Sequence, residues 1–137
     1  MKAKELRIII TVDNLEKIIE FYRDTFGMGT SKEWHEETGN GIILDAGRAS
    51  LELIDKKHAE RIDEIEVGRR VSGPIRLALN VGNNIELTVG EVVRAGGKSV
   101  AGPVEAPWGT KVARVQAPDG MQITLFEKST LFGSDSE

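Results

Sequence analysis

The chain contains no cysteine. That single absence removes disulfides, thiolate metal sites and cysteine nucleophiles together, and it is compatible with a reducing compartment. No apolar run approaches the roughly 20 residues needed to cross a bilayer. The opening MKAKELRIII is too brief for a secretory leader and carries Glu5 where its apolar stretch would begin. A cytoplasmic protein with no membrane partner is therefore expected. A basic stripe is also missing: 18 Lys and Arg are scattered among 22 Asp and Glu, for a net charge of −4. That balance argues against nucleic acid as a partner. Histidine is scarce, with only His35 and His58. No Ser–His–Asp arrangement, phosphate loop or dinucleotide fingerprint occurs, and the glycines of VRAGGK and VGNN fall at a helix stop and a strand-to-helix turn.

What is present is the composition of a folded protein. Hydrophobic residues make up 39% and charged residues 29%, with 15 Gly spread between apolar runs. A length of 137 residues suffices for one domain with a substantial core.

The most informative feature is a repeat. RIIITVDN begins at Arg7 and a diverged copy, RLALNVGN, begins at Arg76. The same offset links Val12 to Val81 and Gly27 to Gly96, so strand, cap, helix and stop recur in one register. In the first copy Ile8, Ile10 and Val12 alternate with Arg7, Ile9 and Thr11, the period of a strand with two unlike faces. Asp13 is positioned to cap the next helix, with Glu16 completing a capping box. Leu15, Ile18, Ile19, Tyr22 and Phe26 then form a helical stripe that Gly27 ends. In the second copy Leu77, Leu79 and Val81 alternate with Arg76, Ala78 and Asn80. Asn83 or Asn84 caps, Ile85, Val89, Val92 and Val93 form the stripe, and Gly96 and Gly97 stop it.

Each helix is followed by three strand-like segments: TSKEWH, GIILDA and ASLELID in the first half, and KSVAGPVEA, TKVARVQ and MQITLFE in the second, where APDG supplies a turn. The reading is a single α+β domain built of two βαβββ modules, at about 5–55 and 73–128, forming a curved mixed sheet around a cleft. The polar segment 56–72 reads as a connector with a short helix at 59–65, and the tail 129–137 as frayed, with Leu131 and Phe132 able to dock. Residues out of phase with the helix-packing set should face the cleft. On the first strands, expected on the outside of the sheet, these are Arg7, Ile9 and Thr11, and Arg76, Ala78 and Asn80. On SLELI they are Ser50, Glu52 and Ile54, and on QITLFE they are Gln122, Thr124 and Phe126.

The modules with VDNLEKIIEFYRDTFGM, LELID and EAPWGTKVARVQAPDGMQITLFE together resemble the vicinal oxygen chelate superfamily, the glyoxalase, bleomycin resistance protein and extradiol dioxygenase superfamily, over about residues 5–128. The resemblance implies that fold. In the superfamily's enzymes His or Glu ligands for a divalent metal stand near the start of each module's first strand and on its last strand. Carried over, these positions are Arg7, Glu52, Arg76 and Thr124. Only Glu52 suits a metal, since a guanidinium stays protonated and a threonine hydroxyl is a poor donor.

No metal and no cofactor are therefore expected, and Arg7, Glu52 and Arg76 could form an ion triad in their place, in which Glu52 either neutralises the arginines and holds the modules together or leaves a net positive charge for a ligand. Two arginines facing one carboxylate suit an anionic group on a ligand, and Trp108 and Phe126 offer rings to a planar one. The resemblance to the bleomycin resistance branch implies a homodimer that binds a small molecule without metal. Arg7, Thr11, Glu52, Arg76, Asn80, Trp108, Thr124 and Phe126 are the expected ligand-binding residues. The alternative is a lyase, isomerase or dioxygenase of the same superfamily with Glu52 as its catalytic base. A third reading, a structural or regulatory dimer, would be favoured by a cleft filled with its own side chains. Trp34 reads as core or interface, and both histidines as surface residues away from the ligand positions.

Overall fold

The computed structural model describes residues 3–127, so the tail 129–137, with Leu131 and Phe132, lies outside the described residues. β1 (Glu5–Thr11) leads into α1 (Leu15–Ile19), which continues as a π-helix over Glu20–Thr25. β2 (Gly29–Glu36), β3 (Gly39–Asp45) and β4 (Ser50–Ile54) complete the first half. After α2 (Lys56–Glu66) come β5 (Ile75–Asn80), α3 (Ile85–Arg94), β6 (Lys98–Glu105), β7 (Lys111–Gln116) and β8 (Gln122–Phe126). The fold is α+β. Its strands make one curved eight-stranded sheet in the order β2-β3-β4-β1-β5-β8-β7-β6.

β1 and β5 are the two middle strands, not outer ones. They pair antiparallel, with Ile8 opposite Leu77. Each half brings its last strand back parallel to its first, β4 beside β1 and β8 beside β5. The outer face of the sheet is the one covered by α1 and α3. There Leu15 and Ile19 pack with Ile42, Leu44 and Leu53, and Ile85 packs with Val81, Ala113, Val115 and Leu125. The two helices leave a gap over the middle strands, where Leu6, Ile8 and Ile75 stay 42, 38 and 47% exposed. Ile8, read as helix-packing, thus faces solvent because no helix lies above it.

The helix caps differ from the expected pattern in one respect. Asn14, not Asp13, caps α1, accepting the N–H of Lys17, while the Asp13 carboxylate pairs with Lys56 at 2.8 Å. In the second half Asn84 caps α3. Between cap and left-handed stop glycine, at Gly27 (φ 69°) and Gly96 (φ 101°), the first helix therefore has one residue more than the second. The π-helical turn, whose wider i→i+5 bonding takes up an extra residue, accommodates it.

The inner face is covered by α2. This helix is longer than the expected 59–65, and it is not a solvated connector. Ala59 joins an inner cluster of Ile9, Trp34, Ile43, Ile54, Ala78, Val112 and Phe126. Two contacts seat its N-terminal end. Asp55 caps it and also accepts the N–H of Asn40, and Gly39 lies so close that an added Cβ would stand 2.4 Å from the His58 backbone nitrogen. His58 is consequently fully buried, with its ring 5.3 Å from that of Trp34, contrary to the expected surface position.

Candidate functional site

Strand alternation and register decide what reaches the inner face. Arg7 stands opposite Ala78, and Ile9 opposite Arg76; Glu52 lies beside Ile9, and Thr124 beside Ala78. The β7–β8 pairing then sets Arg114 next to Thr124. The middle of the sheet therefore gathers three guanidiniums, Arg7, Arg76 and Arg114, all buried.

Their partners come from both strands and helix. Arg7 donates through Nε to Glu5 at 2.7 Å, and its Nη1 stands 3.7 Å from Glu52. Ser50 also donates to Glu5, and the Arg7 guanidinium lies 4.8 Å over the ring of Phe126. Arg76 donates to the Thr124 hydroxyl at 2.9 Å. Arg114 carries the densest set. Its Nη2 donates to Glu66 at 2.7 Å and Asp63 at 2.9 Å, its Nε to Glu66 at 3.1 Å, and its Nη1 to the Ser72 hydroxyl at 2.9 Å. The Thr124 hydroxyl donates to the same Glu66 oxygen at 2.8 Å.

Asp63 ties α2 to the chain that follows it. Its carboxylate accepts the N–H groups of Val71 and Ser72, the Ser72 hydroxyl and Arg70, besides Arg114. Burial alone would raise the pKa of this carboxyl. The N–H groups of Ser72 and Val71, the Arg114 charge and the Ser72 hydroxyl outweigh it and bring the pKa down to about 2.

Of the expected ligand-binding residues, Arg7, Glu52, Arg76, Asn80, Thr124 and Phe126 are all buried on the inner face. Asn80 uses its side-chain oxygen to accept the Gly82 N–H. Thr11 lies at the rim, lining a shallow pocket with Lys56, Glu60 and Arg70. Trp108, on the turn before β7, is half-buried against the inner cluster, with the Arg61 guanidinium 5.7 Å over its ring. His35 is exposed beside Glu33. The expected triad is thus part of a larger network, and Arg114, Asp63, Glu66 and Ser72 are the residues sequence reasoning missed. Alternation with Ala113 and Val115, which pack on the outer face, was the available signal for Arg114.

The positions to which the resemblance carries a metal site do not fit one. Arg7 and Arg76 offer no lone pair, and Thr124 engages Arg76 and Glu66. Among the described residues no group of three or more His, Asp or Glu side chains could hold a metal ion.

A curved sheet of two strand-helix-three-strand halves, with polar residues gathered on its inner face, defines a class of cleft proteins. The family model described as Glyoxalase/Bleomycin resistance protein/Dioxygenase superfamily matches residues 6–125, and the chain belongs to that superfamily. It is 30% identical over 129 residues to a Synechocystis protein named probable lactoylglutathione lyase, covering 91% of this chain and 95% of that one. Methylmalonyl-CoA epimerase from Mycobacterium tuberculosis superposes with a TM-score of 0.65 at 18% identity, over 93% of this chain and 90% of that one. A superfamily member from Vibrio splendidus 12B01 gives a TM-score of 0.61 at 12% identity, over 90% of this chain and 98% of its own. At these identities the two structures speak for the fold alone.

Proposed function

We propose that this protein binds a small anionic or aromatic molecule at the inner face of its sheet without using a metal ion. The observation that carries the reading is that Arg7 and Arg76 stand at two of the positions where the resemblance places metal ligands, with Arg114 buried beside a third, Thr124. Guanidiniums repel a divalent cation and bind carboxylates or phosphates through paired donors. Thermal unfolding of chelator-treated protein tests it. Excess Zn²⁺, Ni²⁺, Mn²⁺, Fe²⁺ or Co²⁺ is expected to leave the midpoint unchanged. A metal bound at 100 times its dissociation constant would instead add about 2.7 kcal/mol, a rise of several degrees that would sink the proposal.

A second reading is enzymatic, favoured by the 30% identity to a protein named as a lyase. Glu52 would serve as base and the arginines would hold an enolate-like charge, in lyase or isomerase chemistry. Turnover to lactoylglutathione by the purified protein would put that reading first. The filling of the inner face by α2 favours a third, a structural or regulatory dimer with a vestigial cleft. It parts from the first over whether α2 can leave.

A homodimer is part of the proposal. Along the middle strands the outer face consists of Leu6, Ile8, Ile10, Ile75, Leu77 and Leu79, with no charge among them. β1 and β5 run antiparallel across this strip, so a second copy can present the same strip back across a two-fold axis. Sedimentation equilibrium is expected to show a dimer, and Ile8→Lys a monomer. A wild-type chain that stays monomeric at high concentration would remove this part.

A further inference from the structure

On the sheet itself the buried charges of the inner face are Arg7, Arg76 and Arg114 against Glu5 and Glu52, an excess of one positive charge. α2 adds Asp63 and Glu66 to this face, and Arg70 pairs with Asp63 from the rim. Four arginines then meet four carboxylates. The two α2 carboxylates differ in what they do. Asp63 holds the backbone of residues 71 and 72 as well as Arg114, so it is fixed by the fold. Glu66, in the last turn of α2, points a carboxylate into donors supplied by the strands, Arg114 Nε, Arg114 Nη2 and the Thr124 hydroxyl. Arg76 polarises that hydroxyl from behind. The three donors converge on one oxygen, Glu66 Oε1, and charge-assisted donors of this kind are among the stronger ones that hold a carboxylate.

We propose that Arg114, Thr124 and Arg76 form the carboxylate-binding subsite of this protein, and that Glu66 of α2 is its built-in occupant, displaced when a carboxylate ligand binds. The inference rests on the binding reading above. Beyond Asp63 the chain carries Gly68 (φ 90°) and Gly73, whose freer backbones let the residues after Asp63, Glu66 among them, rearrange while Asp63 keeps its partners. The N-terminal end of α2 stays anchored at Gly39 and Asn40. The energetic logic is exchange: an arriving carboxylate replaces the Glu66 carboxylate on the same donors, while Glu66 regains water.

Two measurements test this. The first removes the occupant with Glu66→Ala and titrates sodium acetate and propionate against sodium chloride at equal ionic strength. The variant's thermal midpoint should rise by several degrees with carboxylate, and the wild-type midpoint should rise less. The second follows native-state hydrogen exchange of the wild type. The amides of the last turn of α2 should exchange at least about 10-fold faster than those of β1 and β5, through a partial opening. Amides of α2 that exchange only with global unfolding, or a folded Glu66→Ala protein that acetate leaves unmoved, would overturn the proposal. Should Glu66→Ala fail to fold, the exchange measurement on the wild type decides alone. A locked α2 in a protein still stabilised by some other anion would remove the displaceable occupant and leave the binding reading standing. A metal-specific rise in midpoint would remove the binding reading itself.

Discussion

Asp63→Ala is expected to lower the unfolding free energy by about 3–5 kcal/mol, the range found when one partner of a buried ion pair is deleted. The side chain is fully buried and accepts five groups: two backbone N–H donors, the Ser72 hydroxyl, Arg70 and Arg114. Alanine strands the buried N–H of Ser72 and leaves Arg114 with one carboxylate fewer in a dry site. Urea unfolding at neutral pH measures the loss, and a variant with an unchanged midpoint would show that the network contributes nothing net. The same residue gives a pH dependence. Its folded pKa, about 2, lies below the ordinary 3.8, so the folded state takes up the proton less readily than the unfolded chain. The associated stability, about 2 kcal/mol, is complete above roughly pH 5 and is lost as pH falls from there towards 2. Asp63→Asn should flatten that part of the acid profile, and a variant as acid-sensitive as the wild type would contradict the assignment.

Glu52→Ala should cost about 3 kcal/mol. Glu52 is fully buried on the middle of the inner face, 3.7 Å from the Arg7 guanidinium, and its removal leaves the sheet with a further unbalanced positive charge. Arg7 keeps Glu5, which holds the expected loss below that of Asp63→Ala. The informative comparison is the double variant Arg7→Met/Glu52→Leu. Arg7→Met also takes the guanidinium from the buried Glu5 carboxylate, so the double variant should lose less than the sum of the two single changes by the Arg7–Glu52 coupling alone. Strict additivity in that cycle would mean that the two side chains do not sense each other.

Much of this architecture is written in local patterns. Alternation in RIIITV and RLALNV, the Asn caps and the Gly stops identify the two halves, because each depends on residues within a few positions of one another. The helices on the outer face follow from their apolar stripes. What the sequence concealed is the burial of α2. Asp63 and Glu66 fall in a segment that reads as a polar connector with a short helix at 59–65, and nothing near them in the chain contradicts that. Their partner, Arg114, lies 51 and 48 residues away, and an ion pair at that separation leaves no periodic trace. Arg114 itself was within reach. The APDG turn sets β7 against β8, and once Thr124 is placed on the inner face its cross-strand neighbour must be Arg114. The middle position of β1 and β5 was not, since strand order is decided by pairings between the two halves. That order also explains why Leu6 and Ile8 are exposed while Glu5 and Arg7 are buried, the reverse of what a hydropathy pattern alone suggests.

The one-for-one matching of arginines and carboxylates under α2 has an evolutionary consequence. A chain that exchanged a single arginine here for a histidine would strand a carboxylate in a dry interior, and one that lost a single carboxylate would strand a guanidinium. Histories connecting this floor to a metal-binding one therefore pass most cheaply through substitutions made in pairs, one of each sign. The charges of the inner face can change only as a set, whereas exposed positions of the outer helices can change one at a time.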